Sequence, residues 1–249
     1  MLKKVALVTG ARAGIGKAIA LRLAQEGIAV GVLDLIIKDA RQVANDIVAA
    51  GGQAIALEAN IADREQVQAA LTTLRATFGP VTILVNNAGI TGFVAFEDLT
   101  DSQWDDMMTV NLKGTFIVTQ ETLPDMKAAQ WGRIVNISSS SAQTGAVRMA
   151  HYSASKGAMI SLTRTLALEL GPLGITVNNI PPGSVMNTIM SEANRQRMPL
   201  SEDVLLATLP VRRLGEPEDI ANACAWLVSE QSGYVTGQTI GVNGGRVVS

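Results

Sequence analysis

Cysteine and histidine each occur once in the 249 residues, as Cys224 and His151. One cysteine allows no intrachain disulfide, which suits a reducing compartment such as the cytoplasm. It also leaves no His/Cys set with the spacing of a zinc site, so no metal is expected. The net charge is −2, and no Lys/Arg-rich run offsets it. A nucleic-acid surface needs a basic patch, so none is expected. No uncharged apolar stretch approaches the roughly 18 residues of a membrane span. The opening MLKKVALVTG lacks the long apolar region and cleavage site of a secretory signal. The G-x-S-x-G turn of a hydrolase nucleophile is missing.

Aromatic residues are also scarce, at 4%, while hydrophobic residues reach 47%. Ala, Val, Leu and Ile therefore fill the core, as short aliphatic runs do in buried parallel sheets. Such runs read as strands at 4–10, 28–34, 53–60, 81–89, 132–138, 175–181 and 238–245. Amphipathic stretches between them read as helices at 15–27, 39–52, 63–79, about 102–129 with Pro124 bending or ending it, 152–170 and 216–230. This alternation predicts a single α/β domain over 1–249, its parallel sheet carrying helices on both faces. The stretch 183–213, with Met186, Met190, Met198 and Pro199, has no clear period and is expected to act as a lid or binding loop from about 184 to 213. Cys224 in ANACAWLV is expected to be a buried, inert thiol. His151 is expected to cap or flank a helix.

VTGARAGIGKA joins the first strand to the first helix, with Gly10, Gly14 and Gly16 in a G-x-x-x-G-x-G pattern. Glycine allows positive φ and close backbone approach, and the helix N-terminus behind it offers free N–H groups to a pyrophosphate. A P-loop would need glycine at 11 and a hydroxyl at 18, where Ala11 and Ala18 stand. The second strand ends at Asp34, 18 residues after Gly16. A carboxylate there accepts hydrogen bonds from the adenosine ribose and repels a 2′-phosphate. Leu35 follows instead of a phosphate-binding arginine, so NAD is favoured over NADP, with Arg12 the one basic residue that complicates this reading.

HYSASKG, from His151 to Gly157, sets Tyr152 and Lys156 four residues apart, on one helix face. A phenol has a pKa near 10, and a cation within about 4–6 Å favours the phenolate. Lys156 is expected to make Tyr152 a better acid and base than a phenol alone near neutral pH.

In TGARAGIG (9–16), NNAG (86–89), Asn111, NISS (136–139), YSASK (152–156), PPG (181–183) and the C-terminal RLGEPEDIANACAWLVSE…YVTGQTIGVNGG, the chain resembles the short-chain dehydrogenases/reductases over essentially its full length. The resemblance implies a Rossmann fold with a seven-stranded doubly wound sheet, a nicotinamide cofactor and a homotetramer. It implies that Tyr152 is the general acid/base and that Lys156 binds the nicotinamide ribose and lowers the tyrosine pKa. Ser139 would hydrogen-bond the substrate oxygen, and Asn111 would help hold a water for a proton relay. Cofactor contacts would come from Gly10, Arg12, Gly14, Ile15 and Gly16; from Asp34 and Leu35; from Asn60 and Ile61, where many members have Asp-Val; and from Asn87, Ala88 and Gly89. Pro182, Gly183 and Val185 would line the nicotinamide end. There Asn187 replaces a common threonine, and Thr188 stands next to it. In the serine run 138–141, Ser141 is a second candidate for the pocket.

Met149, Met186 and Met190 suggest an apolar pocket wall. The first expectation is an NAD-dependent oxidoreductase interconverting a secondary alcohol and a ketone with an apolar aromatic or alicyclic body. The alternative is a 3-oxoacyl-ACP/CoA reductase. Against carrier-protein binding, Gln130 and Leu173 are uncharged where such relatives carry arginine; Arg195 and Arg197 could meet a CoA phosphate. A catalytically silent nucleotide-binding regulator is the alternative of another class, and retention of the whole Ser-Tyr-Lys set argues against it.

Overall fold

The computed structural model describes residues 4–188, 190–192 and 202–248. Arg195, Arg197 and Met198 lie outside the described residues. Strands β1 (Val5–Thr9), β2 (Ala29–Asp34), β3 (Ala54–Glu58), β4 (Ile83–Asn86), β5 (Gly132–Ile137) and β6 (Ile175–Ile180) pair in parallel, in the order β3-β2-β1-β4-β5-β6. Side chains alternate across a strand, so each strand feeds two cores. Ala6 and Val8 of β1 pack with Ile19 and Leu23 of α1 (Gly14–Gln25), Val43 and Ile47 of α2 (Ile37–Ala49), and Ile220 of α9 (Pro217–Leu227). Val5 and Leu7 pack with Leu71 and Leu74 of α3 (Arg64–Phe78), Ile117 and Met126 of α5 (Gly114–Ala129), and Leu170 of α7 (Ala150–Leu170). Helices thus cover both faces, as expected for one α/β domain.

The expected seventh strand is not a sheet strand. Residues 238–245 run beside β6 through isolated parallel bridges, Asn179 to Thr239 and Pro182 to Val242. Backbone bonds join the two, Asn179 N to Gln238 O and Ile240 N to Asn179 O among them, and side chains add to these: Thr236 Oγ1 accepts from Val177 N, and Asn178 Oδ1 accepts from Gln238 N. The segment then turns on Gly244 and Gly245, both at positive φ.

The long helix predicted near 102–129 is built in three parts: α4 (Asp101–Met108), a π-turn (Thr109–Lys113) and α5. Pro124 lies inside α5, which continues to Ala129 and closes on Gln130 in the left-handed region. Thr100 and Gln103 cap α4 reciprocally, and Pro217 occupies the first turn of α9, where a missing N–H costs nothing. Among the described residues no helix is long and apolar enough to cross a membrane. Cys224 is fully buried on α9, as expected.

Candidate active site

The strand order reverses between β1 and β4, and a cleft of about 900 Å³ opens beyond the carboxyl ends of the strands there. Such switch points are where doubly wound folds bind ligands. One wall is the glycine turn. Gly10 has φ +64° and Gly14 φ +53°, and a Cβ on Gly16 would lie 2.3 Å from the Gly10 carbonyl oxygen. These positions hold the turn tight against the strand. Asn87, the residue after β4, locks it, its Nδ2 donating to the Thr9 and Gly10 carbonyls at 3.0 Å each. Thr9 Oγ1 accepts from the backbone N–H groups of Asn87 and Ala88.

Helix α1 begins at this turn with no side-chain cap on Ala13 and no acid in its first turn. Its orphan N–H groups and positive dipole end therefore suit an anion. Ile15 lines the cleft beside them. At the end of β2, Asp34 is 8% exposed; its carboxylate accepts from Arg12 N and Ile36 N and pairs with Arg12 Nε at 3.3 Å. The second acid on Arg12 is Asp39, at 3.1 Å. A free anion-binding helix start next to a buried strand-end carboxylate fits a dinucleotide, its pyrophosphate at α1 and its adenosine ribose at Asp34.

The four expected catalytic residues come from three elements and converge. Asn111 sits in the π-turn, fully buried. Its Nδ2 donates to the Ile90 carbonyl and Ser155 Oγ, and its Oδ1 accepts from Ile90 N at 2.8 Å. The side chain thus braces the loop after β4, while its own carbonyl accepts from Thr115 Oγ1. Gly89 is where the loop meets the centre: a Cβ there would be 2.9 Å from Asn111 Oδ1 and 3.3 Å from Lys156 Nζ. Small Ser155 leaves room for the Asn111 contact.

Tyr152 and Lys156 share one face of α7, both buried. Lys156 Nζ donates to the Ile137 carbonyl at the end of β5, 2.9 Å away. Burial brings its pKa down to about 8. Burial pushes the Tyr152 phenol above its usual value, and a hydrogen bond from Ser139 only partly offsets this. Burial thus dominates the phenol, and Lys156 is not among the causes that shift it. Desolvation is the largest cause at both groups, and the Lys156 ammonium commits one of its N–H donors to a backbone carbonyl. Ser139 Oγ also accepts from Ser141 Oγ at 2.9 Å and from Ser141 N at 3.2 Å. Tyr152 Oη donates to Met190 Sδ across 3.8 Å.

Other expected positions divide. Pro182, Gly183, Val185, Met149, Met186 and Ser141 line the cleft. Thr188 lines it too, and packs 3.2 Å from where a Gly14 Cβ would stand. Asn187 is exposed at φ +55° and does not, because the left-handed turn carries its side chain outward. Leu35 is 64% exposed. Asn60 Oδ1 accepts from Ala62 N with one lone pair left, and Ile61 is buried against Gly114. His151 is not a cap: Met149 precedes the helix, and His151 lies buried in its first turn under Gly92, its Nδ1 without a partner among the described residues. Burial holds its pKa down. The sequence reading missed Thr91, Phe93, Leu214 and Arg246 in the lining; only the position of Arg246 directly after the GG pair carried a signal.

A hydroxyl–phenol–ammonium set beside a dinucleotide cradle defines an oxidoreductase site on a doubly wound sheet. Residues 4–199 match the family model described as short chain dehydrogenase. The chain is 40% identical over 245 residues to the 3-oxoacyl-acyl-carrier-protein reductase of Staphylococcus epidermidis, covering 98% of this chain and 99% of that one. It is 40% identical over 247 residues to the acetoacetyl-CoA reductase of Cupriavidus necator, covering 98% of both. Among solved structures, a variant of actinorhodin polyketide ketoreductase with NADPH superposes with a TM-score of 0.94 at 36% identity, covering 98% of this chain and 97% of that one. The protein belongs to the short-chain dehydrogenase family.

Proposed function

We propose that the protein is a ketoreductase that reduces the 3-oxo group of an acyl thioester, with NADH as the preferred reductant. The observation that carries the reading is the pair of hydroxyls, Ser139 and Tyr152, set together in one cleft; the names of the similar reductases support the reductive direction. Burial raises the Tyr152 phenol, and Ser139 Oγ accepts from both Ser141 N and Ser141 Oγ, so each hydroxyl can serve as a donor. Both line the same cleft, and two hydroxyl donors on one carbonyl oxygen suit its developing oxyanion during reduction.

When bound, reduced nicotinamide dinucleotide supplies the hydride. Ser139 holds the substrate oxygen and Tyr152 Oη gives it the proton. Lys156 stands behind as the one cation at the centre, and Asn111 keeps the Gly89 loop close to it. Met149, Met186 and Val147 offer an apolar wall for the acyl chain.

The names of the similar reductases support the thioester over the secondary alcohol with an aromatic or alicyclic body. Uncharged Gln130 and Leu173 support a CoA carrier over an acidic carrier protein. The buried Asp34 carboxylate supports NADH, although the superposed neighbour was solved with NADPH. The complete catalytic set supports an enzyme over a silent nucleotide-binding regulator. Exposed Phe116 on α5 and Leu168 on α7 support the homotetramer, which light scattering tests.

The deciding experiment measures initial rates of nicotinamide oxidation with acetoacetyl-CoA, using NADH and NADPH in parallel. Aryl and alicyclic secondary alcohols with NAD form the opposing arm. Turnover confined to the alcohols would overturn the thioester reading, and a preference for NADPH would overturn the cofactor reading.

A further inference from the structure

Among the described residues, two charged side chains border the cleft, Lys156 and Arg246, and no carboxylate does. Lys156 is buried at the chemical centre. Arg246 stands at the rim, where its Nη1 donates to Ser184 Oγ at 3.0 Å. A guanidinium has five N–H donors in a fixed fork, so most remain for a ligand. The described residues place no acid within ion-pair distance of Arg246, whereas Arg213 nearby is held by Asp219 at 2.6 Å.

The root of Arg246 is built. Asn243 is buried, and its Oδ1 and carbonyl accept from the Gly245 and Arg246 N–H groups. Asn243 also packs on Gly183, where a Cβ would lie 2.9 Å from its Cα. Gly244 and Gly245, at φ +66° and +81°, turn the chain back over the cleft. Ser184 is fixed too, its carbonyl accepting from Gly215 N at 2.9 Å. A cation anchored at the rim of a cleft with no acidic lining favours substrates that carry an anion beyond the reacting carbonyl.

We propose that Arg246 and Ser184 form a subsite for an oxyanion of the substrate, either a phosphate of a pantetheine thioester or the carboxylate of a free 3-oxo acid. The subsite rests on the proposed reduction of a ketone in this cleft. The test compares wild type, Arg246→Gln and Arg246→Lys on acetoacetyl-CoA, acetoacetate and the neutral N-acetylcysteamine thioester of acetoacetate. In Arg246→Gln the KM for the anionic substrate rises about ten-fold or more, the worth of a charge-assisted contact. Its kcat, the KM for NADH and all constants for the neutral thioester stay within two-fold, which also reports a folded enzyme. Arg246→Lys keeps part of the affinity.

A rise confined to acetoacetyl-CoA assigns the phosphate; one confined to acetoacetate assigns the carboxylate. Equal changes on all three substrates, a change in NADH alone, or no change overturns the subsite. If wild type reduces none of them, the proposed activity fails, and calorimetric titration of CoA and of acetoacetate decides the subsite separately. Equal affinities of wild type and Arg246→Gln for both would then overturn it.

Discussion

Ser141 fills both lone pairs of Ser139, through its hydroxyl at 2.9 Å and its backbone N–H at 3.2 Å. A serine oxygen with two donors on it keeps only its own proton to offer, and that proton points to Tyr152 or to a substrate oxygen. Ser141→Ala removes the stronger of the two. Ser139 can then rotate and offer a lone pair where a donor is needed. The expected result is a kcat lower by roughly three- to ten-fold, the scale of one neutral hydrogen bond, with KM little changed. Ser141→Thr restores most of the rate. A raised KM at constant kcat would show instead that Ser141 only touches substrate.

Lys156 makes stability depend on pH in a direction that can be read in advance. Its ordinary pKa is 10.5 and burial lowers it to about 8. Between those values the folded protein has released a proton that the unfolded chain still holds, so this group adds stability as pH rises. The full effect is about 3 kcal/mol, gained from about pH 8 to 10.5 and absent below. Lys156→Met removes it together with catalysis. Urea unfolding of wild type and variant across that window measures the difference, which should grow by this amount with pH. A constant difference would mean that Lys156 is not desolvated.

Cys224 titrates the other way. Full burial raises its thiol from 9.0 to about 12. Thiolate is the reactive form, so at neutral pH the native thiol is depleted in it by roughly a thousand-fold as well as being shielded. An aromatic disulfide reagent should find no thiol in the native protein and one in urea. Rapid native labelling would contradict the packing of α9 on the sheet.

The alternation of aliphatic runs with amphipathic stretches was enough to predict the parallel sheet, because both periods are local. The edge at 238–245 was less legible, since its backbone bonds to β6 are interrupted by contacts of the Thr236 and Asn178 side chains and leave only isolated bridges. Nothing in TVNLK announced a π-turn, because one extra residue per turn leaves no mark on composition; its consequence, Asn111 reaching Ile90 and Ser155, is tertiary. Spacing alone could select Ser139 over its neighbours but not reveal that Ser141 orients it. The same limit applies to Tyr152 and Lys156: four residues apart on a helix gave their shared face, while the sign of the phenol shift depends on burial.

Arg12 and Asp34 give the cofactor prediction its clearest handle. Asp34 holds Arg12 by its backbone N–H and by Nε at 3.3 Å, and Asp39 takes Nη1 at 3.1 Å. Two carboxylates therefore offset one guanidinium at the adenosine end. A ribose diol can donate to Asp34, but a 2′-phosphate would meet net negative charge, and like-charge juxtaposition costs several kcal/mol. Asp34→Ser removes one of the two acids and leaves Arg12 with Asp39 alone. Its fork then becomes available to a phosphate, for which arginine geometry is well suited. The expected outcome is a rise of about a hundred-fold in the ratio of kcat/KM for NADPH to that for NADH, equivalent to about 3 kcal/mol. Adding Arg12→Ala to the same variant should cancel most of that gain, because the repulsion would be relieved but no cation would remain to bind the phosphate. Steady-state rates with both cofactors on the single and double variants measure this directly. An unchanged ratio in Asp34→Ser would show that cofactor choice is made elsewhere in the cleft.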